Sequence, residues 1–258
     1  MLIKKITFFL LLTLFISSNY AQSLDSLLSK GDSLVEKFND EKALEVYQQA
    51  DKLFPKNWKV YWRISRAYVD IGEHISKDIE DFEDEQLKDY KMAFDYADKA
   101  VKLAPGEAIP YVRRAIANGR IALFKGVFSV GSIVDAVRDD CEKAIKLNNG
   151  GKIYQSLAHY ILARTHAKVS EKWAPARAVL GLGWADIDTA LAEYDIAIKL
   201  RPNYIMYYLD YAKALIREDE YEKAREMLNN ALTSPKKDED DHIRLAEAKE
   251  LLNEIKDE

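Results

Sequence analysis

One thiol and four imidazoles are the obvious nucleophile and base material of this 258-residue chain: Cys141, His74, His159, His166 and His242. A reactive cysteine works as the thiolate, which needs an accessible, electropositive setting. Cys141 falls three residues before Ala144, at a core position of a helix, so a buried and inert thiol is expected. A hydrolase or redox protein working through Cys141 is the alternative reading. His159 and His166 stand seven apart, about two helical turns or ~10 Å. Zinc–nitrogen bonds are only ~2 Å, so a straight helix cannot offer both to one ion. The acidic run Asp78, Glu80, Asp81, Glu83, Asp84 and Glu85 has Glu83 where a calcium loop begun at Asp78 needs glycine. It reads as a solvated helix extension. Gly181 and Gly183 are not followed by lysine and serine or threonine, so no phosphate loop is present. Neither catalytic residue, metal nor cofactor is expected.

The elements that would carry these residues are helices. Glycine and proline number only ten and six, too few for a strand-rich chain. Residues 187–202 set the pattern: Ala190, Tyr194 and Ala197 share one helical stripe, and Pro202 ends it. The pattern recurs as Ala43, Tyr47, Ala50 and Pro55, then as Ala93, Ala97, Ala100 and Pro105. Small residues bury little area alone, so each such helix needs a close partner. With Gly31 and Leu34 added, the first unit has tetratricopeptide spacing throughout. The expected fold is an all-α, right-handed helical-hairpin solenoid of about five hairpins with long insertions, closed by a capping helix from about His242 to Lys256.

The first hairpin spans about Leu24–Asn57, with the turn at Asn39 and Asp40. The second opens at Trp58 and closes with the Ala93–Pro105 helix after an insertion of about sixteen residues. In the third, Phe124 to Gly131 is expected to be a glycine-flanked apolar loop ahead of a Ser132–Leu147 helix, and Asn118 sits where an apolar residue is wanted. The fourth begins near Tyr154 and carries an insertion that includes Trp173, Pro175, Leu180, Leu182 and Trp184. Tyr208–Leu215 and Ala224–Ala231 form a regular fifth. The aligned alanines Ala50, Ala100, Ala144, Ala197 and Ala231 are 50, 44, 53 and 34 residues apart, which predicts a tightly closed or irregular array.

Residues 1–21 read as a secretory signal: Lys4 and Lys5 precede an apolar core, Ile6–Ile16, of eleven residues, too short to span a bilayer. Cleavage near Ala21 leaves one domain, 22–258, in the periplasm or outside the cell. The whole chain has charge −5, and loss of Lys4 and Lys5 makes the mature chain −7, which speaks against nucleic acid as a partner. A single cysteine excludes an internal disulfide.

From Tyr61 to about Leu252 the sequence resembles the regulator of microtubule dynamics family, a divergent tetratricopeptide group. Ile64–Tyr68 with Ala93–Leu103, Cys141–Leu147, and Ala190–Tyr204 with Tyr211–Leu228 and Asp238–Leu252 carry the resemblance. These are chiefly packing residues, so what it implies is the architecture and a partner-binding module, and no functional residue.

In hairpins of this type the first helices line the concave face. Places 2, 5, 9, 12 and 13 give Trp62, Arg66 and Val69; Val112, Ile116 and Arg120; Gln155, His159 and Leu162; and Leu209, Lys213, Ile216 and Arg217. The expected groove is apolar with four fixed positive charges, suited to a peptide or protein bearing carboxylates. The alternative is that the long middle insertions fill the groove and those charges pair with them. A non-catalytic adaptor or scaffold is the function this implies. Residues 173–184 offer a second idea, an apolar patch facing a membrane or a partner, the alternative being that they cover the neighbouring hairpin.

Overall fold

The computed structural model describes residues 23–258, with the backbone alone for 127–129. The leader, 1–21, lies outside the described residues. Twelve α-helices and no strand make up the described chain. The first hairpin pairs α1 (Leu24–Val35) with α2 (Asp40–Leu53). Ser23 starts α1, its hydroxyl accepting from the Ser26 amide at 3.2 Å. A Cβ on Gly31 would stand 2.2 Å from Cε1 of Tyr47, so glycine is what lets α1 and α2 approach.

The second hairpin joins α3 (Trp58–Glu73) to α4 (Phe82–Leu103). Its extra length repeats the same contact further out, where a Cβ on Gly72 would lie 2.8 Å from Tyr90 Cε1. Gly72 is seven residues past Ser65 and Tyr90 seven before Ala97, the matched two-turn step of an antiparallel pair. The acidic run is exposed throughout, and Glu83, Asp84 and Glu85 occupy the first turn of α4. Carboxylates there favour the helix dipole.

The third hairpin is α5 (Ala108–Ala122) with α6 (Val127–Leu147). Here the expected loop from Phe124 to Gly131 is corrected, since α6 begins at Val127 and runs through Gly131. Gly131 serves close approach instead of a turn: its Cβ would lie 3.0 Å from the Leu180 carbonyl oxygen. Asn149, in place of a terminal proline, accepts from the Ala108 amide at 2.7 Å and donates to the Gly106 carbonyl at 2.8 Å. It thereby ties the end of α6 to the start of α5.

The fourth pairs α7 (Gly151–Ser170) with α9 (Ile187–Leu200), and the insertion between them holds the short α8 (Ala174–Val179). Its second half is packed: Leu182 and Ala185 are buried with Val169. The Trp184 indole N–H donates to Asp135 at 2.8 Å, and its ring lies 4.5 Å from the Arg138 guanidinium. The fifth is α10 (Ile205–Arg217) with α11 (Tyr221–Thr233), followed by α12 (Asp241–Glu254).

Ala50, Ala100, Ala144, Ala197 and Ala231 are all fully buried. Two layers result. The first helices touch one another in the order α3, α5, α7, α10 and α12, while each second helix packs on its own partner and the next first helix. The hairpin solenoid that the alanine pattern predicts is the fold observed.

Candidate partner-binding face

The inner layer opens at one end. α1 packs against α2 and hardly against α3, and a cavity of about 510 Å³ lies between them. Trp58, Trp62 and Ile109 supply its apolar wall, and Asp25, Asp32, Glu36, Lys59 and Arg63 its charged rim. Arg63 grips Asp32 through two nitrogens, each at 2.8 Å, and the Tyr47 hydroxyl donates to the same carboxylate at 2.7 Å. Burial raises the Asp32 carboxyl, but these bonds outweigh it and hold its pKa below the ordinary value. α1 is therefore fixed to α3 at Asp32 while the remainder of the interface stands apart.

Only Trp62 among the sequence-predicted groove residues borders this cavity. Applied to the first unit, the same repeat rule gives Asp25, Leu28, Asp32, Val35 and Glu36, all but the buried Val35 on the cavity wall, so the signal for these residues was present one hairpin earlier. Arg66, Arg120, Lys213 and Arg217 each meet a carboxylate: Asp70 at 3.1 Å, Glu73, Glu247 at 2.6 Å and Glu171, respectively. Their partners come from the first helices, from α12 and from Glu171 just past α7, not from the middle of an insertion. Val69, Val112 and Leu209 are buried between helices, whereas Ile116 and Ile216 are partly buried against the core.

α7 presents a different face from the one expected. The Gln155 side-chain amide donates to the Ala144 carbonyl at 3.0 Å, His159 bonds Glu193 of α9, and Leu162 packs with Val137 and Cys141 of α6. All three turn to the outer layer. The opposite stripe faces inward: Tyr154 meets Trp62 edge-on at 5.7 Å, and Arg164 lies 3.4 Å from Asp210. The physical reason is the extra length of α7 ahead of its contact with α9. The Ser156 hydroxyl already donates to the Ala197 carbonyl at 2.9 Å, which fixes that side of the helix against the second layer.

Cys141 is fully buried, and burial pushes its thiol well above the ordinary value, the opposite of the exposed, electropositive setting that a reactive cysteine needs. His166 is buried too. Its Nδ1 accepts from the Asp186 amide at 3.2 Å, and burial lowers its pKa. Among the described residues no group of three histidine, cysteine or acidic side chains could hold a metal. No helix of the described residues is long and apolar enough to cross a membrane. Trp173 and Val179 are 76% and 84% exposed, so the first half of the insertion keeps its apolar surface in solvent while the second half covers α6 and α7.

Such a stack, with an open cleft on its inner layer, is a tetratricopeptide-type solenoid. The family model for regulator of microtubule dynamics protein 1-3 matches residues 27–256, and the chain belongs to that family. The sequence matches none of the curated proteins. Among solved structures it is similar to a thermophilic TPR protein of Thermus thermophilus, at 16% identity and a TM-score of 0.63, covering 88% of this chain and 98% of that one. It is also similar to pilF of Pseudomonas aeruginosa, at 13% identity and a TM-score of 0.54, covering 90% of this chain and 88% of that one. At those identities the likeness speaks for the fold.

Proposed function

We propose that the protein is an exported adaptor that holds a segment of a peptide or protein partner on its inner layer, entering at the cleft between α1 and α3. The cleft itself carries this reading: about 510 Å³ of concave surface, walled by two indoles and rimmed by charges, where the neighbouring first helices pack closely. Aromatic anchors surrounded by polar groups are what a small number of dominant contacts need. Export rests on the leader, 1–21, and N-terminal sequencing of the secreted or periplasmic protein should begin near Gln22. Placing a photo-crosslinking residue at Trp58 and, separately, at the outer-layer Lys52 tests the face. Partner adducts are expected from position 58 alone. Equal yields from both positions would remove the cleft from the reading.

Exposure of Trp173 and Val179 favours a second role, a membrane-surface contact. Liposome flotation of the mature protein decides it, because a protein that stays at the bottom with every lipid composition has no such contact.

A further inference from the structure

We infer that Arg113 is the anion-reading residue of this face and takes a side-chain carboxylate of the bound partner. The inference rests on the adaptor reading and adds the chemistry of the segment recognised. Arg113, on α5, is 8% exposed, and its Nε is enclosed without a hydrogen-bond partner. Its guanidinium carbon lies 5.8 Å from the Trp62 ring and 5.6 Å from the Tyr154 ring, between α3 and α7. It stands four residues, about one helical turn, past Ile109, the one residue of α5 in the cleft wall, and is not itself in that wall.

The neighbouring arginines set the contrast. Arg63 holds Asp32, Arg66 holds Asp70, Arg114 holds Asp98 and Asp140, Arg120 holds Glu73, and Arg164 faces Asp210. Arg113 has no ion pair with any described residue, and the groups around it are the aromatic side chains of Trp62, Tyr154 and Tyr207. Taking a guanidinium out of water is costly unless an anion or good hydrogen bonds replace the lost hydration. Two aromatic faces recover only part of that cost and leave the N–H groups unused. Only Nε is sealed; the Nη groups are left to meet whatever lies on the inner face. A planar fork held rigid between two rings suits a carboxylate, which accepts two parallel N–H bonds.

Panning a random-peptide display library against the full chain tests this with no natural partner in hand. Selected peptides are then titrated by fluorescence anisotropy against the parent protein, Arg113→Gln, Arg113→Lys and the cleft-filling Ser29→Trp. The expected result is selection of aspartate- or glutamate-containing peptides, whose affinity falls about tenfold or more in Arg113→Gln and is lost in Ser29→Trp. Arg113→Lys keeps the charge without the fork. Should Arg113→Gln melt early, a severalfold loss in the lysine variant carries the same conclusion, and unchanged affinity there overturns it. Peptides without acidic enrichment that Ser29→Trp abolishes and Arg113→Gln leaves alone overturn the role of Arg113 and keep the cleft. Failure to select any peptide, or indifference to Ser29→Trp, overturns both.

Discussion

Asp40 shows what burial does to a carboxyl with too few partners. It is 7% exposed, and one of its oxygens has no hydrogen-bond partner. Burial first, and then the charge of Asp70, pushes its pKa up to about 6 from 3.8, against the pull of Arg66 and His74. The folded state thus binds a proton more readily than the unfolded one. The resulting penalty is complete above pH 6, shrinks as pH falls, and is absent below 3.8. Asp40→Asn should therefore stabilise the protein by on the order of 2 kcal/mol at pH 7.5 and by nothing at pH 3.5. Thermal melts of the two proteins across that range measure the difference. Cys141 is a fully buried thiol packed with Ala115, Val137 and Leu162, and burial and the carboxylates of Asp140, Glu142 and Glu193 all push its pKa up. Native-state thiol labelling should be slow until the protein unfolds.

At the scale of the helix, Gly31 is the sharpest test of why the hairpins close. An alanine inside a helix ordinarily gains about 1 kcal/mol over glycine. Here the new methyl would meet a Tyr47 ring that cannot swing away, because its hydroxyl is bound to the Asp32 carboxylate that Arg63 also holds. Gly31→Ala should lower stability by about 1–3 kcal/mol, read as a fall in Tm. Arg114 is a second test, since it bridges Asp98 at 2.8 Å and the buried Asp140 at 2.7 Å, joining α4, α5 and α6. Arg114→Met should cost about 3 kcal/mol near pH 7. The loss should be smaller near pH 5, where the abandoned Asp140, already raised by burial, can take up a proton.

The same helices explain what the sequence could and could not tell. Hairpins one and five are legible because Gly31, Ala43, Tyr47 and Ala50, and likewise Ala212, Ala224, Leu228 and Ala231, stand at undisturbed intervals. α7 is not, because its small residues at 156, 158 and 163 allow more than one register against α9, and the hydrogen bond from Ser156 to the Ala197 carbonyl chooses between them. Gly131 reads as a loop residue from composition, yet what it answers to is the Leu180 carbonyl of an insertion far along the chain. The Arg66–Asp70 pair is legible as an i, i+4 spacing, whereas the pairing of Arg120, Lys213 and Arg217 is invisible beforehand, since their acids lie outside their own hairpins. Arg113 carries no sequence mark that separates it from Arg114. What distinguishes them is which one finds an aspartate.

Across the molecule, ion pairs run between the inner helices: Glu73 with Arg120, Arg164 with Asp210, and Lys213 with Glu247. At the end of α3, His74 Nδ1–H donates to the Asp70 carbonyl at 2.8 Å, and its Nε2 lies 3.5 Å from Glu239 and 3.6 Å from Asp240 in the turn before α12. Burial lowers the imidazole pKa, but the Asp70 carbonyl and the carboxylates of Glu239, Asp240 and Glu73 outweigh it and raise the value overall. Asp40 faces the same group from α2. The attraction is complete below the ordinary imidazole value of 6.5 and is lost as pH rises through the raised one. As pH rises above 6.5 the parent protein should lose thermal stability that His74→Gln does not. Equal slopes in the two melts would show that the contact contributes nothing.

A row of stacked hairpins with loose ends frays from those ends, one unit at a time. Here the turn ahead of α12 meets the end of α3, so the units from α3 to α12 close on themselves and only the first hairpin is left as an end to peel away. Calorimetry should accordingly give those units one melting peak whose measured enthalpy equals that implied by its sharpness, where an open row of this length would come apart in stages.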